Sequence, residues 1–288
     1  MTHPIRKLVY VLIAAYLGMF AYTCYTQDER IFKPVSVELS KAARPKDFHE
    51  PPDLGLEDRE ILTEPSAVPM NALWLHASDQ APVALYLHGQ EVTRHNNLHH
   101  ARCLNELGCN VLVIDYRGYG ETFGKKKPTE ESVCHDAEVA WNYLTGTLKI
   151  PPERILIYGH SLGGAIAIDL ASRHPEAGGL VAESTFTCIK DVARSRNCLT
   201  YLLPLDFMIR HRFDSLEKVR ENRLPPAFFI HGKDDLKVPS YMCSILHGAA
   251  QGPDKHILLR DGEHADRKGG QIEYEAKMKE FLSHYFGP

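Results

Sequence analysis

A serine, a histidine and a pair of carboxylates carry the chemistry this sequence could do. Residues 155–164 read ILIYGHSLGG, an apolar run that ends in Gly-x-Ser-x-Gly with Ser161 at its centre. A small-residue helical pattern, Ala165-Ile166-Ala167-Ile168, follows at once. A serine on such a sharp strand-to-helix turn presents its hydroxyl as a nucleophile, and glycines either side let neighbouring backbone approach. The helix behind it aims its first N–H groups at the place where an oxyanion would form. A serine hydroxyl is a poor nucleophile until a base takes its proton and an acid orients that base. On an elbow the partners follow in the order serine, acid, histidine. Residues 231–239 (HGKDDLKVP) supply Asp234 and Asp235, and residues 261–266 (DGEHAD) supply His264. The residue after the nucleophile, Leu162, would give one oxyanion N–H, and Gln90 in the loop after His88-Gly89 the second.

These groups can meet only if the elements carrying them end at one edge. Residues 82–88, 110–117, 155–160, 179–183, 227–231 and 256–260 read as buried strands by length and apolar content. Residues 98–107, 130–145, 240–250 and 271–286 read as helices, with Thr129 as a cap for the second. That alternation predicts βα units and a mostly parallel, doubly wound sheet with helices on both faces. Loops at the carboxyl ends of parallel strands share one edge, which would bring the serine, acid and histidine together. Ahead of this, residues 57–63 and 70–77 are strand-like and could pair as a hairpin. Residues 184–224 are irregular to helical and rich in basic side chains.

From about residue 57 onward the chain resembles the α/β-hydrolase superfamily in DYRGYG (115–120), GHSLGGA (159–165), AESTF (182–186), HGKDDLKVP (231–239) and GEHAD (262–266). More narrowly, it is similar to the membrane-anchored serine hydrolases called α/β-hydrolase domain-containing proteins, which have one N-terminal anchor and no large lid. The resemblance implies the α/β-hydrolase fold and a triad of Ser161, Asp235 and His264. Asp235 is the fifth position of the family's His-Gly-x-x-Asp-x-x-Val-Pro pattern. It also implies hydrolysis of lysophospholipids, acylglycerols or fatty acyl thioesters on protein cysteines. One departure stands out: many relatives carry Asn after the His-Gly pair, where this chain has Gln90-Glu91-Val92. The backbone N–H survives that change, while the shape of the acyl pocket does not follow from it.

The rest of the chain bounds these readings. A net charge of -4 gives no reason to expect nucleic acid as a partner. Seven cysteines, an odd number without a Cys-x-x-Cys pair, argue against a disulfide scaffold or a zinc ribbon, although Cys188 and Cys198 are spaced for a local bridge. Residues 8–26 are nineteen residues without a charge, nearly matching a hydrocarbon core of roughly 30 Å. Tyr10, Tyr22 and Tyr25 lie near its ends, and no small-x-small cleavage site follows. The stretch is read as an uncleaved membrane anchor (1–30), followed by a linker (31–56) and a catalytic domain (57–288). Arg6 and Lys7 before the anchor lean the N-terminus to the cytosol and the catalytic domain to the non-cytosolic side. A chain begun near Phe32 is expected to be soluble and active.

Other residues have plainer readings. His95, His99 and His100 have a metal-like spacing but no acidic residue between them, so neither metal nor cofactor is expected. His160 should point away from Ser161 across the turn, and His88 should shape the oxyanion loop. Asp115 precedes the serine, the wrong order for the acid, whereas Glu183 is a rival acid. The function these features predict is hydrolysis of carboxylic esters or thioesters of acyl or lipid type through an acyl-serine. An aminopeptidase and a catalytically silent binding protein are the alternatives.

The anchor generates a first prediction. Full-length protein should stay in the membrane pellet under alkaline carbonate, and mass spectrometry of mature chains lacking residues 8–26 would establish a signal peptide instead.

Overall fold

The computed structural model describes residues 3–36, 38, 56–61, 69–94, 97–252, 254–264 and 270–287. Most of the expected linker, residues 37 and 39–55, lies outside these, as do His95 and Asp266. Eight strands form one sheet: β1 (Leu56–Ile61), β2 (Met70–Leu75), β3 (Val83–Leu87), β4 (Asn110–Ile114), β5 (Ile155–His160), β6 (Gly179–Glu183), β7 (Ala227–Gly232) and β8 (Lys255–Arg260). Their spatial order is β1-β2-β4-β3-β5-β6-β7-β8. The β1–β2 and β2–β4 pairs are antiparallel, and every pair from β4 through β8 is parallel.

Alternation along the central strands explains why the sheet is covered on both sides. Val83, Leu85 and Leu87 of β3 and Ile155 and Ile157 of β5 join one apolar cluster. Ala84 and Tyr86 of β3 and Leu156 and Tyr158 of β5 join the other. Successive side chains of a strand leave by opposite faces, so two apolar faces demand two helical layers. α3 (Glu130–Asn142), α4 (Leu162–Arg173), α7 (Ser215–Glu221) and α8 (Tyr241–Ala249) cover the first face. α2 (Leu98–Glu106) and α9 (Gln271–Phe286) cover the second. Thr129 caps α3 in a reciprocal pair with Ser132, as its sequence position predicts. Chain order reverses at β3, which lies between β4 and β5, so the crevice of this doubly wound sheet opens beside β3 and β5.

Residues 184–208 fold as short pieces above that edge, α5 (Ile189–Arg196), a 3₁₀ turn (Cys198–Leu202) and α6 (Leu205–Met208), before α7 returns to the first face. Cys188 is buried and Cys198 exposed, and both are free thiols.

The N-terminal helix α1 (His3–Ile31) is long and apolar enough to cross a bilayer. Its first half is exposed, but its last turns are packed on the rest of the fold. Buried Gln27 donates to the Met208 carbonyl at 3.1 Å and accepts from the Arg210 N–H at 2.8 Å. Asp28 pairs with Arg210 at 3.0 Å and His211 at 3.3 Å. Phe32 is buried against the rings of His211 and Phe213, and its carbonyl accepts from the Tyr119 hydroxyl. The surface ion pair with Arg210 is worth about 0–1 kcal/mol. Leaving the Gln27 partners unsatisfied would cost about 1–3 kcal/mol. Burial of Phe32 outweighs both. The basic residues of the segment thus receive an acid of α1, and a cut near Phe32 passes through a packed junction.

Truncating Phe32 should expose that junction. Phe32→Ala should cost about 3–5 kcal/mol, read as a lower unfolding midpoint of the full-length protein in detergent, whereas exposed Tyr25→Ala should stay within about 0.5 kcal/mol. Equal midpoints for the two variants would show that α1 is not docked.

Candidate active site

β5 ends and α4 begins at Ser161, whose backbone sits at φ 56°, ψ -118°. A non-glycine residue rarely adopts a positive φ and keeps it only when its surroundings over-determine it. Here they do. The Ser161 N–H donates to the Glu183 carbonyl at 2.8 Å, and the Thr185 hydroxyl donates to the Ser161 carbonyl at 2.8 Å. A Cβ on Gly163 would strike the Leu87 carbonyl and come within 2.7 Å of the His88 oxygen. Only glycine lets the start of α4 lie against the end of β3.

The other two groups arrive from the ends of β7 and β8. The Ser161 hydroxyl lies 2.8 Å from His264 Nε2, although the two are 103 positions apart. His264 Nδ1 lies 2.7 Å from Asp235 Oδ2. The second oxygen of Asp235 accepts from the N–H groups of Lys237 and Val238, each at 2.8 Å. His231 Nε2 is 3.0 Å from Asp235 Oδ2 and 2.9 Å from the Val238 carbonyl. A carbonyl can only accept, so this nitrogen carries the proton and donates. Burial alone would raise the Asp235 carboxyl, but the hydrogen bonds from His231 and His264 overcome it and hold the group well below the usual carboxylate range.

Asp234 instead folds back on its own loops. Its N–H donates to the Gly262 carbonyl at 3.2 Å, and its carboxylate accepts from the Gly262 N–H at 3.3 Å. Glu183 is fully buried, accepting from the Tyr158 hydroxyl at 2.5 Å with Arg260 at 3.6 Å. Asp115 accepts from the backbone and guanidinium of Arg94 at 2.6 and 2.7 Å, which orients the loop after β3. His160 Nε2 lies 3.0 Å from the His264 carbonyl, so it braces the loop that carries His264. His88 is buried with Nδ1 at 2.7 Å from the Gly89 carbonyl, and burial lowers its pKa despite Asp115, leaving a neutral ring. Among the described residues no cluster of His, Cys, Asp and Glu could hold a metal.

Gln90 and Leu162 border the same space. A Cβ on Gly89 would lie 3.3 Å from that of Ser161, so the loop into Gln90 runs beside Ser161. Leu162 opens α4, and its N–H has no acceptor within the helix. Ser161, Leu162, Gln90 and His264 line a cavity of about 390 Å³. Sequence reasoning missed two features of the site. His231 entered it only as the first residue of the His-Gly-x-x-Asp pattern, with nothing to show that its ring faces Asp235. The wall contributed by α1, through Met19, Tyr22, Thr23, Gln27, Arg30 and Ile31, was hidden by reading the helix as an anchor alone.

The serine aminopeptidase (S33) family matches residues 79–211, a span that holds Gln90 and Ser161 and stops before Asp235 and His264. An uncharacterized protein of Mycobacterium tuberculosis is 33% identical over 205 residues, 70% of each chain. The chain belongs to the α/β-hydrolase superfamily. The lysophosphatidylserine lipase ABHD12 of Danio rerio, 32% identical over 198 residues, aligns with 62% of this hydrolase and 50% of its own length. The esterase Pf2001 of Pyrococcus furiosus shares the fold at a TM-score of 0.65 and 23% identity, over 85% of this hydrolase and 98% of that chain.

The depressed Asp235 carboxyl has a signed consequence for this hydrolase. A carboxyl held below its unfolded value of about 3.9 adds stability above that pH and loses it as pH falls. The gap in melting temperature between wild type and Asp235→Asn should therefore narrow below about pH 4. A gap constant from pH 6 to pH 3 would show that the carboxyl is not so perturbed.

Proposed function

We propose that the protein is a serine hydrolase that cleaves acyl esters or thioesters of lipid type. The observation that carries this reading is the hydrogen-bonded line Ser161–His264–Asp235 at the floor of an apolar cavity. In it the Ser161 hydroxyl donates to His264 Nε2, and His264 Nδ1–H donates to Asp235. His264 takes the proton as Ser161 attacks the acyl carbonyl and returns it to the leaving group. Asp235 keeps the ring in the required tautomer and stabilises the imidazolium. The N–H groups of Leu162 and Gln90 receive the oxyanion. Water, activated by His264, then cleaves the acyl-serine. α1 holds the enzyme at a membrane with the catalytic domain (57–288) on the non-cytosolic side.

The aminopeptidase reading draws on the matched family's description. A free ammonium needs an acidic partner, yet the charged lining residues among those described are Arg30 and Arg196. Both are cations beside an otherwise largely apolar wall. They suit an acyl chain joined to a neutral or anionic headgroup, in keeping with the lysophosphatidylserine lipase named among the relatives.

Kinetics of the purified full-length enzyme on long-chain esters and thioesters test this. Ser161→Ala should abolish fluorophosphonate labelling and cost about 10⁶ in kcat. Asp235→Asn should cost about 10³–10⁴, with Asp234→Asn within about tenfold. A near-silent Asp235→Asn beside a crippled Asp234→Asn or Glu183→Gln would overturn the assignment.

A further inference from the structure

The cavity above Ser161 runs lengthwise along the membrane helix. Met19, Tyr22, Thr23, Gln27, Arg30 and Ile31 line it from α1. Their spacing places them on one face of the helix. At 1.5 Å per residue, Met19 and Ile31 are about 18 Å apart along the axis. The Ile31 end is next to the nucleophile: the side-chain amide of Gln90, oriented as its acceptor neighbours require, donates to the Ile31 carbonyl at 3.0 Å. The facing segment is largely apolar, with Ile189, Val192, Leu199, Leu203 and Leu205 around Arg196, Asn197 and Thr200.

The far end opens outward. Tyr22 and Leu199 line the cavity and are also 62% and 53% exposed. Around this mouth, Tyr201, Leu202 and Phe207 are 66%, 65% and 93% exposed. A single exposed apolar side chain is ordinary, but four within nine residues form a patch that marks an interaction surface. The segment bearing them packs on α1 through Met19 and Cys24. Both of these lie inside the uncharged stretch 8–26, the part long enough to cross the hydrocarbon. The patch and the mouth therefore sit at the level of lipid acyl chains.

We propose that the last turns of α1 are the acyl-binding wall of the active site, and that the mouth between Tyr22 and Leu199 opens sideways into the bilayer. This rests on the acyl-hydrolase reading of Ser161 and extends it. The substrate is a lipid already resident in the membrane. Its acyl chain slides along α1 until the carbonyl reaches Ser161, without its methylenes crossing water. The transmembrane helix then sets chain-length specificity, and residues 199–207 form a second, shallow membrane contact.

The test uses full-length enzyme in phosphatidylcholine vesicles and the ratio of kcat/KM for p-nitrophenyl palmitate to that for p-nitrophenyl butyrate. Filling the groove with Thr23→Trp, or with Met19→Trp if the first variant is unstable, should lower this ratio by about tenfold or more. Tyr25→Trp, on the outer face of α1, should leave it within about twofold. In parallel, a tryptophan placed by Phe207→Trp should be quenched by brominated acyl chains in the same vesicles. An unchanged ratio in the groove-filling variants, with turnover still lost in Ser161→Ala, would overturn this inference and leave the serine hydrolase intact. Unquenched Phe207→Trp would overturn the sideways opening. Turnover that survives Ser161→Ala would instead sink the hydrolase assignment beneath it.

Discussion

The structure depends on one backbone conformation, the positive φ of Ser161. An L-residue does not hold it unaided, because Cβ crowds the neighbouring carbonyl. It persists here because β5, β6 and α4 converge on it: Glu183 accepts its N–H, Thr185 holds its carbonyl, and Gly163 lets the helix start press against the end of β3. The same convergence aims the hydroxyl out of the sheet edge. Strain of about 1–3 kcal/mol at this residue is offset by the surrounding packing, a trade found where a site must be pre-organised.

From that point the remaining geometry follows by parallel pairing. β6, β7 and β8 stack in register beside β5, so their carboxyl ends fall in one row. Asp235 and His264 then need only short loops to reach Ser161, and those loops are tied to each other. The Lys233 N–H donates to the Arg260 carbonyl at 2.8 Å, and that of Asp234 to Gly262. This division of labour explains two adjacent aspartates. One carboxylate holds the loops together so that the other can face the histidine. His160 and His231 add a second layer, the first bracing the His264 backbone and the second donating to Asp235.

Much of this was legible in the sequence because it is local. Short continuous apolar runs marked the strands, and the alternation of strand and helix marked the parallel sheet that places their ends together. The hairpin of β1 and β2, the Thr129 cap and the limits of α9 also lie within a few residues of their sequence signals. What local signals leave open is long-range. The family pattern pointed to Asp235 over Glu183, but the physical reason is direction: Glu183 ends β6 in the right row, and its side chain points into the Tyr158–Arg260 network beneath the sheet edge. No spacing rule reports which way a strand-end side chain leaves. The docking of α1 is harder still, since Gln27 meets Met208 and Arg210 across more than 180 positions. Apolar composition marks a helix long and apolar enough to cross a membrane, and it says nothing of the polar last turn that attaches the helix to a domain.

On the reading proposed above, that polar turn makes α1 more than an anchor. A tether raises the concentration of an enzyme near its membrane and leaves its selectivity alone. A helix whose face lines the cavity beside Ser161 would do both in the proposed enzyme, because moving it alters the space beside that serine. Two levels of the molecule are thereby separated. Chemistry resides at the sheet edge, in elements buried on both faces and rigid by packing. In the proposed acyl hydrolase, selectivity resides in α1 and the short pieces between β6 and β7, which rest on that edge through Phe32, Phe186, Phe213 and Val219 of the main core and through the small cluster around Leu203, Leu205 and Met208. An acyl hydrolase arranged as proposed would alter the group it accepts by changing the helix and its partner segment, with the line from Ser161 to Asp235 left untouched.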